Sequence, residues 1–199
     1  LVQSLDDVES ITVDWAVEAA AVKTRRGASP SIEARTAHRI VTTGCGQGTM
    51  FGSLMEQIDS VKLPPPSAAR IRQSTLHQLN EAMRKTDSVH RRAGSVHGCA
   101  LFRGTEMLTF VEDVGRHNAI DTIAGWMWMH GDAPLGQGGD KVFYTTGRLT
   151  SEMVTKAASV GISALAAISA PTALAIELAR SAGMTLIGFA RPGSCNVYC

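Results

Sequence analysis

Cys45 lies in the run Thr43-Gly44-Cys45-Gly46-Gln47-Gly48-Thr49. Glycines at 44, 46 and 48 permit positive φ and leave backbone N–H groups free, which predicts an open, mobile loop carrying one thiol. A thiolate so placed can act as a nucleophile or carry sulfur. The competing reading is a small apolar filler, the commoner fate of a free cysteine. A second set of residues falls at predicted strand ends: Thr146-Gly147-Arg148, Ser169-Ala170-Pro171 and Ala190-Arg191-Pro192-Gly193. Two arginines, small residues and two helix N-termini there suit an anionic ligand such as a nucleotide phosphate. The alternative is solvated loop charges and ordinary turn residues.

The densest polar cluster is Glu112, Asp113, Arg116, His117 and Asp121. A carboxylate beside an imidazole can tune proton transfer, and the same groups can equally cap a helix start. His97 and Cys99 stand two apart in a predicted strand. The H-x-E and P-C-x-x-C pattern of a zinc deaminase is absent, so that reaction is disfavoured. Cys195 and Cys199 are expected to be incidental thiols rather than a metal site or a labile disulfide. Trp126, Met127, Trp128 and Met129 ride on an amphipathic helix and are expected in a core or an interface.

Elements must hold these residues in place. The chain has 199 residues, with 44% hydrophobic and 19% charged, and a net charge of +1. That length supports one domain with a small appendage and a core built without disulfide or metal staples. The small net charge argues against nucleic-acid binding, which favours a basic excess. Four scattered cysteines without a CxxC pair point to a reducing cytosol. No apolar run approaches a membrane span, and the start lacks the layout of a signal peptide. The chain begins without Met, as a piece of a longer protein would.

Residues 1–43 read as β-like at Ile11-Thr12-Val13 and from Ala34 to Thr43, separated by the polar stretch from Lys23 to Gly27 and by Ser29-Pro30-Ser31. After Pro64-Pro65-Pro66, Ser67 is the expected N-cap of a helix running through Ile71, Leu76, Leu79 and Met83 to about Thr86. Val96 to Phe102 and Met107 to Val111 form a predicted hairpin. A helix follows the polar cluster with Ile120, Ile123, Ala124 and Met127 on one face and Gly131 beyond its end. Gly136 to Gly139 reads as a loop. From residue 142 the chain alternates strand 142–145, helix 150–160, strand 164–168, helix 171–182 and strand 185–189, a pattern of parallel strands with crossover helices.

Several strings then converge. Gly44-Cys45-Gly46-Gln47-Gly48, Gly94 to Leu101, Glu112-Asp113-Val114-Gly115-Arg116-His117-Asn118-Ala119-Ile120-Asp121, Thr146-Gly147-Arg148 with Ser151 to Val154 and Lys156 to Ala158, Ser169-Ala170-Pro171, and Gly188 to Arg191 with Asn196-Val197-Tyr198 together resemble the FdhD family, the formate dehydrogenase accessory sulfurtransferases. The resemblance implies an α/β fold, a three-layer α/β/α sandwich similar to the cytidine deaminase fold with a mixed sheet over residues 44–199, preceded by part of a β-rich segment at 1–43. It also implies a cytoplasmic homodimer that receives persulfide sulfur from a cysteine desulfurase. The acceptor would be the molybdenum (or tungsten) bis(molybdopterin guanine dinucleotide) cofactor, before that cofactor enters formate dehydrogenase. No structural metal, membrane or nucleic-acid partner is expected.

Carried over residue by residue, Cys45 matches the persulfide-bearing cysteine, and Phe189, Ala190, Arg191, Pro192, Gly193 and Ser194 match the cofactor-binding segment. Gly147 and Arg148 join that set as a phosphate anchor at a strand end. The family loop commonly reads C-G-x-C-G, and here its second cysteine position is Gly48. A single-thiol mechanism at Cys45 is therefore expected. The other reading is a cofactor-binding chaperone without covalent chemistry. His117 with Glu112 or Asp113 is expected to organise the site or the dimer.

Overall fold

The structure is a computed structural model that describes residues 5–25, 63, 71–130 and 138–199. The chain divides into two compact units, Leu1–Gly48 and Thr49–Cys199. Several predicted features lie outside the described residues: the strand from Ala34 to Thr43, the loop with Cys45 and Gly48, the prolines at 64–66, Ser67, Gly131, Gly136 and Gln137.

In the first unit, β1 (Val8–Asp14) pairs antiparallel with β2 (Ala19–Thr24), placing Ile11 opposite Val22 and Val13 opposite Ala20. β1 contains the predicted Ile11-Thr12-Val13 strand. β2 corrects the sequence reading, because Lys23 and Thr24 belong to a strand and not to a polar separator. The Lys23 ammonium donates to Glu9 across the pair at 2.7 Å.

The second unit is built on one six-stranded mixed sheet in the order β4-β3-β5-β6-β7-β8. β3 (His97–Arg103) and β4 (Glu106–Asp113) form an antiparallel hairpin. Its two-residue connection relies on Gly104, whose φ of 59° is open to glycine without a Cβ penalty. β3 also pairs antiparallel with β5 (Lys141–Thr145). β5, β6 (Ala164–Ala167) and β7 (Thr185–Arg191) are mutually parallel, as the alternation predicted. β8 (Ser194–Val197) returns antiparallel on β7.

Strand alternation turns successive side chains to opposite faces, and each face is buried by helices. One face sends Leu101, Phe143, Leu165 and Leu186 into a core shared with α3 (Arg116–Met129), α4 (Ser151–Ser159) and α5 (Ala173–Ser181). α3 contributes Ala119, Ile120, Ile123 and Met127. The other face sends Phe102, Val142, Tyr144 and Ile187 against α1 (Gln73–Lys85). α1 turns inward Leu76, Leu79, Asn80 and Met83, a spacing of three and four residues that makes one stripe. The result is three layers, helix on sheet on helix. Fully burying one such Leu, Ile or Phe contributes about 1.5–3 kcal/mol.

α1 begins at Gln73 with Arg72 in the N-cap position and no side-chain cap, so Ile71 precedes the helix. α2 (Val89–Ala93) is a short helix the sequence reading did not anticipate. Ser88 caps it by accepting from the Arg91 N–H at 3.1 Å, and Gly94 closes it in the left-handed region at φ 66°. Among the described residues, no helix is long and apolar enough to cross a membrane.

Candidate functional site

A cleft of about 750 Å³ opens at the carboxyl ends of the parallel strands, on the face covered by α1. Its strand side is Tyr144 and Thr146 from the end of β5, Ile168 after β6, and Ala190, Arg191 and Pro192 from the β7–β8 turn. Its helix side includes Asn80, Arg84 and Lys85 of α1 and His90 and Arg91 of α2. In a parallel sheet the carboxyl ends are where loops diverge and leave room for a ligand.

The charges are one-sided. Arg84, Lys85, Arg91 and Arg191 face the space, while Glu81 is the acidic residue among the described lining. Glu81 pairs with Lys85 at 2.8 Å along α1. Arg91 is tied down: its Nη1 donates to the carbonyls of Arg84 at 2.6 Å and Thr86 at 3.2 Å, at the C-terminal end of α1. The guanidinium is thereby fixed at the join of α1 and α2 and caps carbonyls that have no partner within the helix. A cleft with this balance favours anions.

The floor is polar and rigid. Tyr144, buried in β5, donates its hydroxyl proton to Asn80 of α1 and lies 3.2 Å from the Ala190 carbonyl. Burial raises its phenol well above the ordinary range, so it stays protonated and remains a donor. This contact ties α1 to the wall carrying Ala190. That wall is irregular: the pairing of β7 with β8 slips between Gly188 and Arg191. Phe189 takes φ 50°, unusual for a residue with a side chain. Its N–H donates to the Ser169 carbonyl at 3.1 Å. The Arg191 guanidinium carbon lies 6.0 Å from the centre of the Phe189 ring, within cation–π range. Gly193, at φ 81°, completes the turn between the two strands.

The strand-end set therefore separates. Ala190, Arg191 and Pro192 line the cleft, with Phe189, Gly193 and Ser194 in the adjoining strand and turn. Arg148 is exposed and Gly147 is buried, and neither lines it. Neither do the N-termini of α4 and α5. Thr172 accepts from the Ala175 N–H at 3.2 Å and so caps α5 with its own side chain. Cys45 lies outside the described residues. The cations of α1 and α2 escaped the sequence reading because they look like ordinary solvated helix ends. Their one sequence signal was density, with four basic residues and His90 between positions 84 and 92.

The polar cluster resolves into structural roles. The Glu112 carboxylate accepts from the N–H groups of Val89 and His90, both at 2.8 Å, and so caps α2 from β4. Burial pushes its pKa up, but these backbone bonds and Ser88 outweigh that and hold it below the usual value. Asp113 accepts from the Gly115 N–H at 2.7 Å and from the Asn118 amide at 3.1 Å, shaping the entry to α3. His117 reaches Thr150 at 3.3 Å and Glu152 at 3.4 Å, joining α3 to α4. Burial and the Arg116 charge lower its pKa against the pull of Glu152. Lys156 extends the same link to Asp121 at 2.6 Å.

Cys99 is a poor carrier. Cys99 is buried in the core, where desolvation pushes its pKa up to about 11, and it contacts the Thr145 hydroxyl at 3.2 Å. Cys195 and Cys199 pack against the cores on opposite faces of the sheet, which keeps the two apart. Met127 is buried, Trp126 stacks on His130 with ring centres 4.3 Å apart, and Met129 is 70% exposed.

Set beside known proteins, residues 1–199 match the sequence pattern described as the FdhD/NarQ family. Among the proteins similar to the chain are several named sulfur carrier protein FdhD. That of Mycobacterium bovis is 40% identical over 137 residues, covering 68% of this chain and 48% of the relative. That of Streptomyces coelicolor is 41% identical over 135 residues, covering 67% and 46%. That of Saccharolobus solfataricus is 39% identical over 133 residues, covering 66% and 51%. The chain thus spans about half the length of these relatives. A crystal structure described as a formate dehydrogenase accessory protein, from Desulfotalea psychrophila, superposes with a TM-score of 0.68 at 24% identity. It covers 99% of this chain and 70% of that one, a likeness of fold.

Proposed function

The chain belongs to the FdhD/NarQ family, and from that premise we propose that it is a sulfur carrier serving formate dehydrogenase, with Cys45 as the carrier and the cationic cleft as the seat of the acceptor. The reading rests on the cleft: four cations face one carboxylate at the carboxyl ends of parallel strands. Its volume falls in the range of a drug-sized ligand. That accommodates one guanine dinucleotide arm of the molybdenum or tungsten bis(molybdopterin guanine dinucleotide) acceptor.

In the proposed reaction the Cys45 thiolate attacks the outer sulfur of a persulfide on a cysteine desulfurase. A new sulfur–sulfur bond forms on Cys45, and the donor cysteine leaves as a thiolate. No net oxidation occurs in this exchange; the acceptor then supplies the electron pair that bonds the outer sulfur, the sulfur–sulfur bond breaks, and Cys45 leaves as a thiolate. Arg191, Arg84 and Arg91 hold the diphosphate, with guanidinium groups suited to paired contacts with phosphate oxygens. Phe189 through Ser194 form the wall against which the nucleotide rests. One thiol suffices in this scheme, so Gly48 in the second cysteine position of the loop does not block it. The setting is a reducing cytoplasm, and the working form is a homodimer.

Cofactor delivery without covalent chemistry is favoured by one observation, the burial and raised pKa of the Cys99 thiol. Intact-protein mass spectrometry after incubation with a cysteine desulfurase and cysteine separates the two readings. A gain of about 32 Da per sulfur, mapped to Cys45 and lost in Cys45→Ala, is the expected result. Sulfur on no cysteine, with guanosine diphosphate binding intact and weakened by Arg191→Ala, would leave delivery as the function.

A further inference from the structure

The cleft has two unlike ends. Its floor crosses four neighbouring strands, with Gly98 of β3, Thr146 just beyond β5, Ile168 just beyond β6 and Ala190 of β7. Gly98 and Ala190 therefore stand three strand spacings apart, roughly 14 Å. The Ala190 end carries Arg191, Pro192 and the irregular turn. The Gly98 end carries an aromatic ring, that of Phe110 from β4.

The register of the hairpin puts that ring where it is. Phe110 pairs with Ala100, and Glu112 pairs with Gly98, so Gly98 lies diagonally across from Phe110 on one face of the sheet. A Cβ on Gly98 would lie 3.3 Å from both Cε2 and Cζ of the ring, so the ring leans over bare backbone. Glu112, next along the same face, accepts from the His90 N–H at 2.8 Å and sets α2 as a wall beside it. Among the described residues, Phe102 pairs with Tyr144 and Trp126 with His130. Phe110 belongs to neither pair, and its half-buried ring borders the cavity.

We infer that Phe110 is the stacking platform for a second planar heteroaromatic ring, joined through the diphosphate to the guanosine that rests against Phe189 through Ser194. This rests on the reading of the cleft as the seat of the acceptor. A sugar and an extended diphosphate bridge an interval of this size, and Arg84 and Arg91 line the helix wall along it. Stacking reads the face of a ring and not its edge, so the platform accepts a pterin or a purine alike. Gly98 is the positioning residue, because a side chain there would push the Phe110 ring away from the strand.

The test compares two probes on the full chain by isothermal titration calorimetry. One is diguanosine diphosphate, two guanosines joined through a diphosphate, whose second guanine stands in for the far ring. The other is guanosine diphosphate mannose, which ends in a sugar. A base stacked on an aromatic side chain gains roughly five- to 150-fold in affinity, so the wild type should prefer diguanosine diphosphate by at least about fivefold. Phe110→Leu should cut that preference at least about threefold, whereas Phe110→Tyr keeps a ring and should keep it. Gly98→Ala should also reduce it, and serves if Phe110→Leu folds poorly. A smaller preference in the wild type overturns the inference, as does a preference that Phe110→Leu leaves in place. In either event, mannose-conjugate binding weakened by Arg191→Ala leaves the cationic cleft standing as a nucleotide site. Binding of neither probe by the wild type removes both that reading and this inference.

Discussion

The contact between Tyr144 and Asn80 should be worth more than either residue suggests alone, and a double-mutant cycle can measure it. Tyr144 is 1% exposed and Asn80 5% exposed, so neither finds water when its partner is removed. In Tyr144→Phe, the Asn80 amide oxygen and the Ala190 carbonyl lose the hydroxyl that serves them. Stranding a buried acceptor costs about 1–3 kcal/mol, a fall of roughly five- to 150-fold in the folding equilibrium. Asn80→Leu, close in size, strands the Tyr144 hydroxyl on the α1 side and should cost a similar amount. With both changes, the apolar pair leaves neither group waiting for the other. The double variant should therefore lose less than the sum of the singles, by about 1 kcal/mol or more. Urea unfolding of the four proteins gives the cycle. Losses that add to within about 0.5 kcal/mol would refute the claim that this bond fastens α1 to the cleft wall.

Gly188→Ala should destabilise by about 1–3 kcal/mol through overpacking, because its Cβ would meet Pro171 Cδ at 2.7 Å and Tyr198 Cε2 at 3.0 Å; thermal denaturation checks this. Cys99 should resist iodoacetamide near pH 8 until the protein unfolds, with the modified cysteines read by peptide mapping. Because its folded pKa, about 11, lies above the ordinary 9.0, the stability it contributes is complete below pH 9 and lost as pH rises through 11. Cys99→Ala should lack that alkaline component in denaturant titrations. Glu112 behaves oppositely: its folded pKa is below 4.5, so its contribution is present above 4.5 and fades as pH falls through the folded value. Glu112→Gln should flatten that acid limb and speed amide exchange at Val89 and His90.

Much of the second unit was legible because its signals are strong and local. The β3–β4 hairpin, α3 and the strands and helices from β5 to β7 carry apolar periodicity that neighbouring turns do not blur. What stayed hidden was short or polar. β8 reads Ser-Cys-Asn-Val and α2 reads Val-His-Arg-Arg-Ala, and neither shows a period long enough to detect. β2 was partly masked by Lys23 and Thr24, whose place comes from pairing with β1. The candidate site was half legible. Arg191 stood out beside its turn, whereas Arg84, Lys85 and Arg91 acquire meaning only when α1 and α2 fold over the strand ends. Arg148 shows the converse, a strand-end arginine that the chain turns away from the cleft. Beside His117, Glu112 left proton transfer and helix capping equally open in the sequence, and backbone donors 22 and 23 residues earlier in the chain claim it.

The left-handed backbone at Phe189 sets two selection pressures against each other. A residue with a side chain held there costs roughly 1–2 kcal/mol that asparagine or glycine would largely avoid. Directed evolution for heat resistance alone should therefore drift toward those residues at position 189. Such lineages would discard the ring beside which the Arg191 guanidinium rests. A library screened for thermal tolerance and then for nucleotide binding should show these two traits parting at this one codon.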